Sequence, residues 1–230
     1  MALAASTEPV NERGPDTGAN RTSQAYQELR SLILSGHYEP DSRLTESDLT
    51  NRLGISRGTL RSVLARLAQE GYVTAEANRS ARTRSFTVDE AIEILETREV
   101  LESALAANAA ERATDAEIEE MTTTCKRMWE CQVPGGREEY WELNRRFHEQ
   151  VRQAARQATL TRFVDSLLYP LVMRQYRDAE RANPRVGSVR EHEAILAAIV
   201  TRNPEAAAAA MRHHLSAARR DLQLRFAAAS

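Results

Sequence analysis

The sequence predicts a mainly α-helical protein in two parts: a small N-terminal head of three helices and a β-hairpin, followed by a longer helical bundle. Two observations support this prediction. Apolar residues recur at helical spacing from about residue 22 to the end of the chain, with helix start and stop signals between them. A β-like stretch interrupts this pattern near residues 72–87. We therefore expect a disordered tail over 1–21, the head over 22–86 and the bundle over 87–230.

Composition excludes several classes of protein. The chain has 230 residues, is 42% hydrophobic and 28% charged, and has a net charge of −2, so any affinity for nucleic acid must come from local clustering of charge. We find no apolar run long enough for a membrane span and no signal-peptide pattern at the N-terminus. The two cysteines, Cys125 and Cys131, exclude a disulfide scaffold. These features predict a cytoplasmic protein with reduced thiols and no membrane partner.

The head contains signals for three short helices and a hairpin. Helix starts are indicated at Ser23, Thr45 and Ser56, and stops at the segment 36–41, Gly54 and Gly71. Two β-like segments, 72–74 and 83–87, flank a turn-forming sequence around Asn78-Arg79-Ser80. Three helices followed by a hairpin within about 65 residues are typical of a winged helix-turn-helix.

The bundle contains signals for a series of longer helices. Thr87-x-x-Glu90 opens a helix to about Arg112, and Thr114-x-x-Glu117 opens the next. Residues 134–136 separate that helix from one running through His148. Further helices are predicted over 158–181, 188–201 and 204–227, the last announced by an Asn-Pro start signal. The pattern predicts an all-α bundle.

The start of the third helix has the residues of a DNA-reading segment. Arg57 and Arg61 lie four residues apart and share a helix face. An arginine there can bind both acceptors of guanine, which is worth about 1–3 kcal/mol of discrimination. From Arg21 to Arg84 there are 10 arginines and 7 acidic residues, a local charge of +3. An Arg-x-x-x-Arg pair alone also fits a solvated helix, but the order of the surrounding elements favours DNA. The predicted DNA contacts are Arg43, Ser47, Ser56, Arg57, Gly58, Thr59, Arg61, Arg79 and Ser80.

Residues 44–71, which read LTExxLxxxLGISRxxLRxxLxxLxxEG, resemble the head of GntR-family repressors, and the resemblance covers residues 24–86. Asp41 and Ser80 stand where glycine is usual in that family, and Gly58 stands where threonine or another small residue is usual. The resemblance implies a homodimer that binds a palindromic double-stranded DNA operator and most often represses transcription.

The bundle resembles the helical effector domain of the FadR subfamily, called FCD, over about residues 88–222. The segments that carry this resemblance are Arg98-x-x-Leu101-Glu102, Asn144-Arg-Arg-Phe147-His148, residues 191–196 and residues 211–215. Many members bind a divalent metal through an Asp, a His four residues later and two further His residues. The resemblance implies that the ligands here are Asn144, His148, His192 and His214, with zinc preferred over nickel or manganese. It also implies a small-molecule effector, expected to be an organic acid held by Arg98.

Spacing is compatible with these roles. Asn144 and His148 are i and i+4 and share a helix face, and His214 lies at the edge of an apolar face from which His213 points away. Each histidine alone also fits a hydrogen-bonded core position, and Arg98 also fits an exposed ion pair with a nearby Glu. The neutral amide of Asn144 is a weaker ligand than a carboxylate, so we expect weaker metal binding and a preference for an anionic effector.

Two other functions compete with a ligand-responsive regulator. Three histidines around a metal also describe a hydrolytic site. However, the chain has no His-Glu-x-x-His, no activated nucleophile motif and no glycine-rich phosphate loop, so we do not expect an enzyme. The bundle could also serve only to dimerise the head. A rise in melting temperature with a small carboxylate would distinguish that alternative from a sensor.

Overall fold

The computed structural model describes residues 18–76, 80–133, 135–176 and 187–227. The chain divides between residues 84 and 85 into two compact units, which are described separately. Among the described residues, none of the helices is both long and apolar enough to cross a membrane. The predicted tail over 1–21 lies largely outside the described residues, although helix α1 begins inside it, five residues before the predicted cap at Ser23.

The N-terminal unit has three helices whose starts and stops are set by local capping. They are α1 (Gly18–Ser35), α2 (Glu46–Leu53) and α3 (Arg57–Gln69). The Thr45 side chain accepts a hydrogen bond from the Asp48 amide at the start of α2. Gly54, with φ of 63°, ends α2 in the left-handed region, where a residue without Cβ is least strained. Their buried side chains form the core of the head, and they include Leu29, Ile33, Leu49, Leu60, Val63 and Leu67.

A three-stranded antiparallel sheet completes this unit. The strands are β1 (Arg43–Leu44), β2 (Val73–Glu76) and β3 (Ser80–Thr83), in the order β1-β3-β2. The predicted second hairpin strand over 83–87 was wrong. Strand β3 ends at Thr83 because Val73 pairs with Thr83 and Glu76 pairs with Ser80, which leaves only a short connection between the strands. Strand β1 was missed because two residues are too few to show an alternating pattern.

The C-terminal unit is all helical over the residues described. Its helices are α4 (Val88–Arg112), α5 (Asp115–Glu130), α6 (Arg137–Ala154), α7 (Ala158–Ser166), α8 (Tyr169–Tyr176), α9 (Ser188–Val200) and α10 (Pro204–Ala227). Both predicted capping boxes are confirmed, at Thr87 with Glu90 and at Thr114 with Glu117. The Asn203 side chain accepts from the Ala206 amide at 3.0 Å, so the predicted start of α10 is confirmed as well.

The helix predicted over 158–181 is two helices. It breaks at Leu168, which has a positive φ of 54°. Pro170 is the physical reason, because it has no amide hydrogen to donate to the carbonyl four residues earlier and fits only in the first turn of a helix. The predicted end of this helix falls in 177–186, outside the described residues.

Phe147 of α6 is fully buried and lies in the bundle core with Leu105, Met121, Ile195 and Met211.

Candidate functional site

Helix α3 presents an exposed basic face opposite its buried side. Leu60, Val63 and Leu67 are buried, whereas Arg57 and Arg61 are exposed. The Ser56 side chain accepts a hydrogen bond from the Thr59 amide at 3.1 Å and thereby fixes the start of the helix.

Arg61 is linked to helix α2 by an ion pair that the sequence did not indicate. Its Nε lies 3.0 Å from Oε1 of Glu46, and half of the Arg61 side chain is exposed. Glu46 is only 15% exposed, but solvent reaches the Arg61 side of the pair, and pairs at the surface are worth about 0–1 kcal/mol. Arg61 could therefore leave Glu46 and bind a phosphate or a base edge with little loss of free energy.

Of the other predicted DNA contacts, three are exposed, and two have side chains that are not described. Arg43 in β1 and Ser47 in α2 are exposed. Gly58 is exposed on α3, and a Cβ added there would meet only Ser56 Oγ at 3.8 Å. Ser80 begins β3, but its side chain is not described, and Arg79 lies outside the described residues. Arg43, Ser47 and Gly58 are thus accessible to solvent, as Arg57 and Arg61 are.

Three histidines from three helices meet inside the C-terminal unit. His148 of α6, His192 of α9 and His214 of α10 are buried, and one nitrogen from each lies within 4.8 Å of the others. The Nε2 atoms of His148 and His214 are 3.2 Å apart. Two nitrogen ligands of a tetrahedral zinc lie about 3.3 Å apart, given metal–nitrogen bonds of about 2.0–2.1 Å. The spacing of this pair therefore fits two neighbouring ligands of one ion.

Each Nδ1 atom of this His cluster faces an oxygen acceptor. The Nδ1 of His148 lies 2.7 Å from Glu102 Oε2, and that of His214 lies 2.8 Å from Glu191 Oε2. The Nδ1 of His192 lies 2.7 Å from the Ser188 carbonyl oxygen. These acceptors assign the Nδ1–H tautomer, which leaves a lone pair on each Nε2. Carboxylates and carbonyls in this position orient histidine ligands in metal sites.

The electrostatics of the His cluster favour a cation between the rings. Burial holds the pKa of His148 below its usual value, although Glu102 opposes that shift, so the ring is neutral. With Nδ1 of His148 and of His214 each turned towards a glutamate oxygen, the two Nε2 atoms face each other across 3.2 Å. A divalent cation would remove the repulsion between the facing lone pairs, and three imidazole nitrogens suit transition metals such as zinc and nickel.

Asn144 lies one helical turn before His148, and both line the same cavity with His214. The cavity measures about 70 Å³. At about 10–15 Å³ for each water, this space holds about five waters or a small organic molecule. The cavity thus borders two of the three histidines and carries the amide predicted as the fourth ligand.

Arg98, on α4, lines this cavity and could therefore contact a ligand inside it. It is 3% exposed, so an exposed ion pair is excluded. Its Nε nevertheless donates to Glu102 Oε1 at 2.5 Å, and its guanidinium carbon lies 3.4 Å from the centre of the Tyr169 ring. Burial opposes charge on Glu102, but Arg98 and His148 hold the pKa of its carboxyl well below the usual range.

Sequence reasoning missed the residues that orient the histidines. Glu102 belongs to a segment that carried the family resemblance, and its i, i+4 spacing from Arg98 was an available signal for a helix pair. Glu191 directly precedes His192 but holds His214, 23 residues away, so no local signal identifies it. The role of Ser188 belongs to its backbone carbonyl, which side-chain patterns do not show.

Two protein-family models match this chain. The model described as "FCD domain" matches residues 93–217, more than half of the chain. The model described as "Bacterial regulatory proteins, gntR family" matches residues 21–82. The first match contains the His cluster, Arg98 and Asn144, and the second contains helices α2 and α3.

Named relatives are regulators of transcription. The chain is 28% identical over 192 residues to the HTH-type transcriptional regulator YdhC of Bacillus subtilis, covering 80% of this chain and 83% of that protein. It is 24% identical to the HTH-type transcriptional repressor GlaR of Escherichia coli, covering 83% and 90%. The Nta operon transcriptional regulator of Aminobacter aminovorans is 36% identical over 87 residues, which span only 38% of this chain and 41% of that protein.

Solved structures share the fold. E. coli McbR/YncC superposes with a TM-score of 0.75 at 20% identity, covering 90% of this chain and 98% of that one. A transcriptional regulator GntR from Rhodococcus sp. RHA1 superposes with a TM-score of 0.72 at 23% identity, covering 88% and 97%.

Proposed function

The chain belongs to the GntR family of bacterial DNA-binding regulators and carries an FCD domain, and on this premise we propose that it is a carboxylate-responsive repressor with a divalent metal in its sensing cavity. Its relatives are transcriptional regulators and not enzymes. The observation that carries the sensing part of the proposal is the convergence of three buried histidines beside a cavity lined by Arg98.

The proposed mode of DNA binding rests on helix α3. Its first turn enters the major groove, where Arg57 and Arg61 contact base edges, and Ser56 and Thr59 contact phosphates. A homodimer places two such helices on the two half-sites of a palindromic operator. The name of the E. coli relative GlaR, a repressor, supports repression as the outcome. Binding to operator DNA places the protein in the cytoplasm, where Cys125 and Cys131 stay reduced.

The proposed metal site consists of His148, His192, His214 and Asn144. Three imidazoles and one neutral amide leave the charge of the ion uncompensated by its direct ligands. Zinc is the first expectation for this donor set, with nickel and manganese as alternatives. A bound ion would act as a Lewis acid towards an oxygen of the effector.

The proposed effector is a small organic acid. The cavity of about 70 Å³ admits only a small molecule, and Arg98 and the metal site lie along its wall. A carboxylate in the cavity could pair with the positive charge of Arg98 and would offer an oxygen ligand to an ion held by the histidines. Its binding shifts the DNA affinity of the protein by a coupling free energy that is typically about 1–3 kcal/mol.

The metal part of the proposal is tested by thermal unfolding with and without zinc. Zinc at a hundred times its dissociation constant stabilises the folded state by about 2.7 kcal/mol, which raises the melting temperature by about 5–10 °C in a chain of this length. His192→Ala removes a proposed ligand and should abolish this rise. His213→Ala is the matched control, because His213 is exposed beside His214, and it should retain the rise. An undiminished rise in His192→Ala would show that zinc binds elsewhere.

A further inference from the structure

Glu102 connects the proposed metal site to the proposed effector site. It is 1% exposed and uses both carboxylate oxygens, one for each neighbour. Oε1 accepts from Arg98 Nε at 2.5 Å, and Oε2 lies 2.7 Å from His148 Nδ1. Arg98 and His148 both line the cavity. A single buried negative charge is therefore shared between a cation that lines the cavity and the ring of a proposed metal ligand.

The two neighbours compete for this charge. Arg98 forms an ion pair with Glu102, and Arg152 also lowers the pKa of its carboxyl, whereas His148 contacts the other carboxylate oxygen through Nδ1. A divalent ion on Nε2 of His148 makes the ring more positive and strengthens its Nδ1–H bond to the carboxylate. Glu102 would then offset part of the positive charge of the ion, which the neutral Asn144 does not do. Less of the Glu102 charge would remain to neutralise Arg98. In a buried site such changes in charge act strongly, because solvent does not screen them.

We propose that Glu102 is a positioning residue that makes metal binding and anion binding reinforce each other. This inference rests on the proposed function and adds a mechanism to it. Glu102 orients His148 for the metal, and in the absence of metal it holds Arg98 in an ion pair that disfavours an incoming carboxylate. With a metal on His148, Glu102 would direct more of its charge to that ring, and Arg98 would be better able to bind an anion. By linkage, a carboxylate bound to Arg98 tightens metal binding by the same factor.

Glu191 provides a matched comparison. It accepts from His214 Nδ1 at 2.8 Å and therefore holds a proposed ligand in the same way as Glu102. It lies on α9, whereas Glu102 lies on α4 one turn after Arg98. Replacing either glutamate should weaken the metal site, but only the replacement of Glu102 releases Arg98.

The test is calorimetric titration of Glu102→Gln and Glu191→Gln with zinc, and of the metal-free proteins with acetate. Both variants should bind zinc about 10–100-fold more weakly than the unaltered protein, which is the usual effect of losing such a partner. Metal-free Glu102→Gln should bind acetate at least about fivefold more tightly than the unaltered protein, the lower end of typical coupling. Metal-free Glu191→Gln should bind acetate as the unaltered protein does.

The opposite effects on zinc and acetate distinguish coupling from general damage, which would weaken both. Acetate binding that is no tighter in Glu102→Gln, or equally tighter in Glu191→Gln, would overturn the inference. Failure of the proposed function gives a different result, because the unaltered protein would then bind no zinc.

Glu102→Gln leaves Arg98 buried beside an uncharged partner and could fail to fold. A second variant, Arg98→Gln, therefore tests the same inference independently. Arg98→Gln should do the reverse, binding zinc more tightly because Glu102 is no longer shared, and binding acetate more weakly. Zinc binding that is unchanged or weaker in Arg98→Gln would overturn the inference, provided that circular dichroism shows the native helical content.

Discussion

Gly58 offers a direct way to separate the fold of the head from its approach to DNA. Gly58 is exposed in the first turn of α3, and an added Cβ would meet only Ser56 Oγ at 3.8 Å, an ordinary contact. Alanine is about 0.5–1 kcal/mol more favourable than glycine within a helix. Gly58→Ala should therefore leave the protein equally stable or raise its melting temperature by about 1–3 °C. A leucine at the same position would extend from an exposed part of α3.

Affinity for operator DNA should depend on the size of the side chain at this position. Threonine or another small residue is usual here in the family that the head resembles, so Gly58→Ala should bind operator DNA about as tightly as the unaltered protein. The larger side chain of Gly58→Leu should hold the first turn of α3 away from the groove and lose about one base contact, worth about 1–3 kcal/mol, so we expect this variant to bind operator DNA at least about tenfold more weakly. Fluorescence anisotropy measures the affinity, and thermal denaturation measures the stability.

Gln69→Leu is the control for this experiment. Gln69 is exposed at the end of α3, and the rise of the helix places it about 16 Å along the axis from Gly58. Its replacement should leave DNA affinity unchanged. The reasoning is refuted if Gly58→Leu is stable and binds operator DNA as tightly as the unaltered protein, because the first turn of α3 then does not approach the duplex.

Three further experiments test other features of the protein, namely the DNA contact of Arg57, the close approach at Gly136 and the burial of Cys125. Arg57→Ala should weaken operator binding by about 10–100-fold in anisotropy titrations, since one base contact is lost, while the melting temperature stays constant because the side chain is exposed. Gly136→Ala should be destabilised by about 1–3 kcal/mol in denaturant titrations, because its Cβ would lie 2.3 Å from the Cys131 carbonyl oxygen; Gly187→Ala, whose Cβ would lie 3.6 Å from Glu191 Oε1, should change little. Burial raises the pKa of Cys125 from 9.0 to about 12, so a thiol reagent at pH 8 should label it at least about a hundredfold more slowly in the folded than in the unfolded protein; equal rates would contradict its burial.

Helix boundaries that depend on local chemistry could be predicted from the sequence. The capping boxes at Thr87 and Thr114 are made by residues three apart, so their signals lie within one turn. The break at Leu168 also had a signal, Pro170, which the apolar periodicity of the flanking segments obscured. Strand β3 had none, because its limits are set by pairing with β2 and β1 and not by its own composition.

The candidate metal site was only partly predictable for a related reason. Helical spacing places His148 and His214 beside apolar faces, but their meeting across 66 residues depends on how α6 and α10 pack. The family resemblance supplied the choice of His148, His192 and His214. Glu102 escaped notice because its bond to His148 spans 46 residues, although its pairing with Arg98 is local.

Whether helix α3 reads DNA sequence can be measured by letting the zinc-loaded protein select from a pool of random duplexes at about 0.15 M salt, where non-specific attraction is screened. We expect an enriched inverted repeat whose half-sites lie about one helical turn apart, with a guanine in each half-site that is no longer selected by Arg57→Ala. Duplexes retained without any common sequence, or a sequence that Arg57→Ala selects unchanged, would contradict the assignment of α3 as the element that reads DNA.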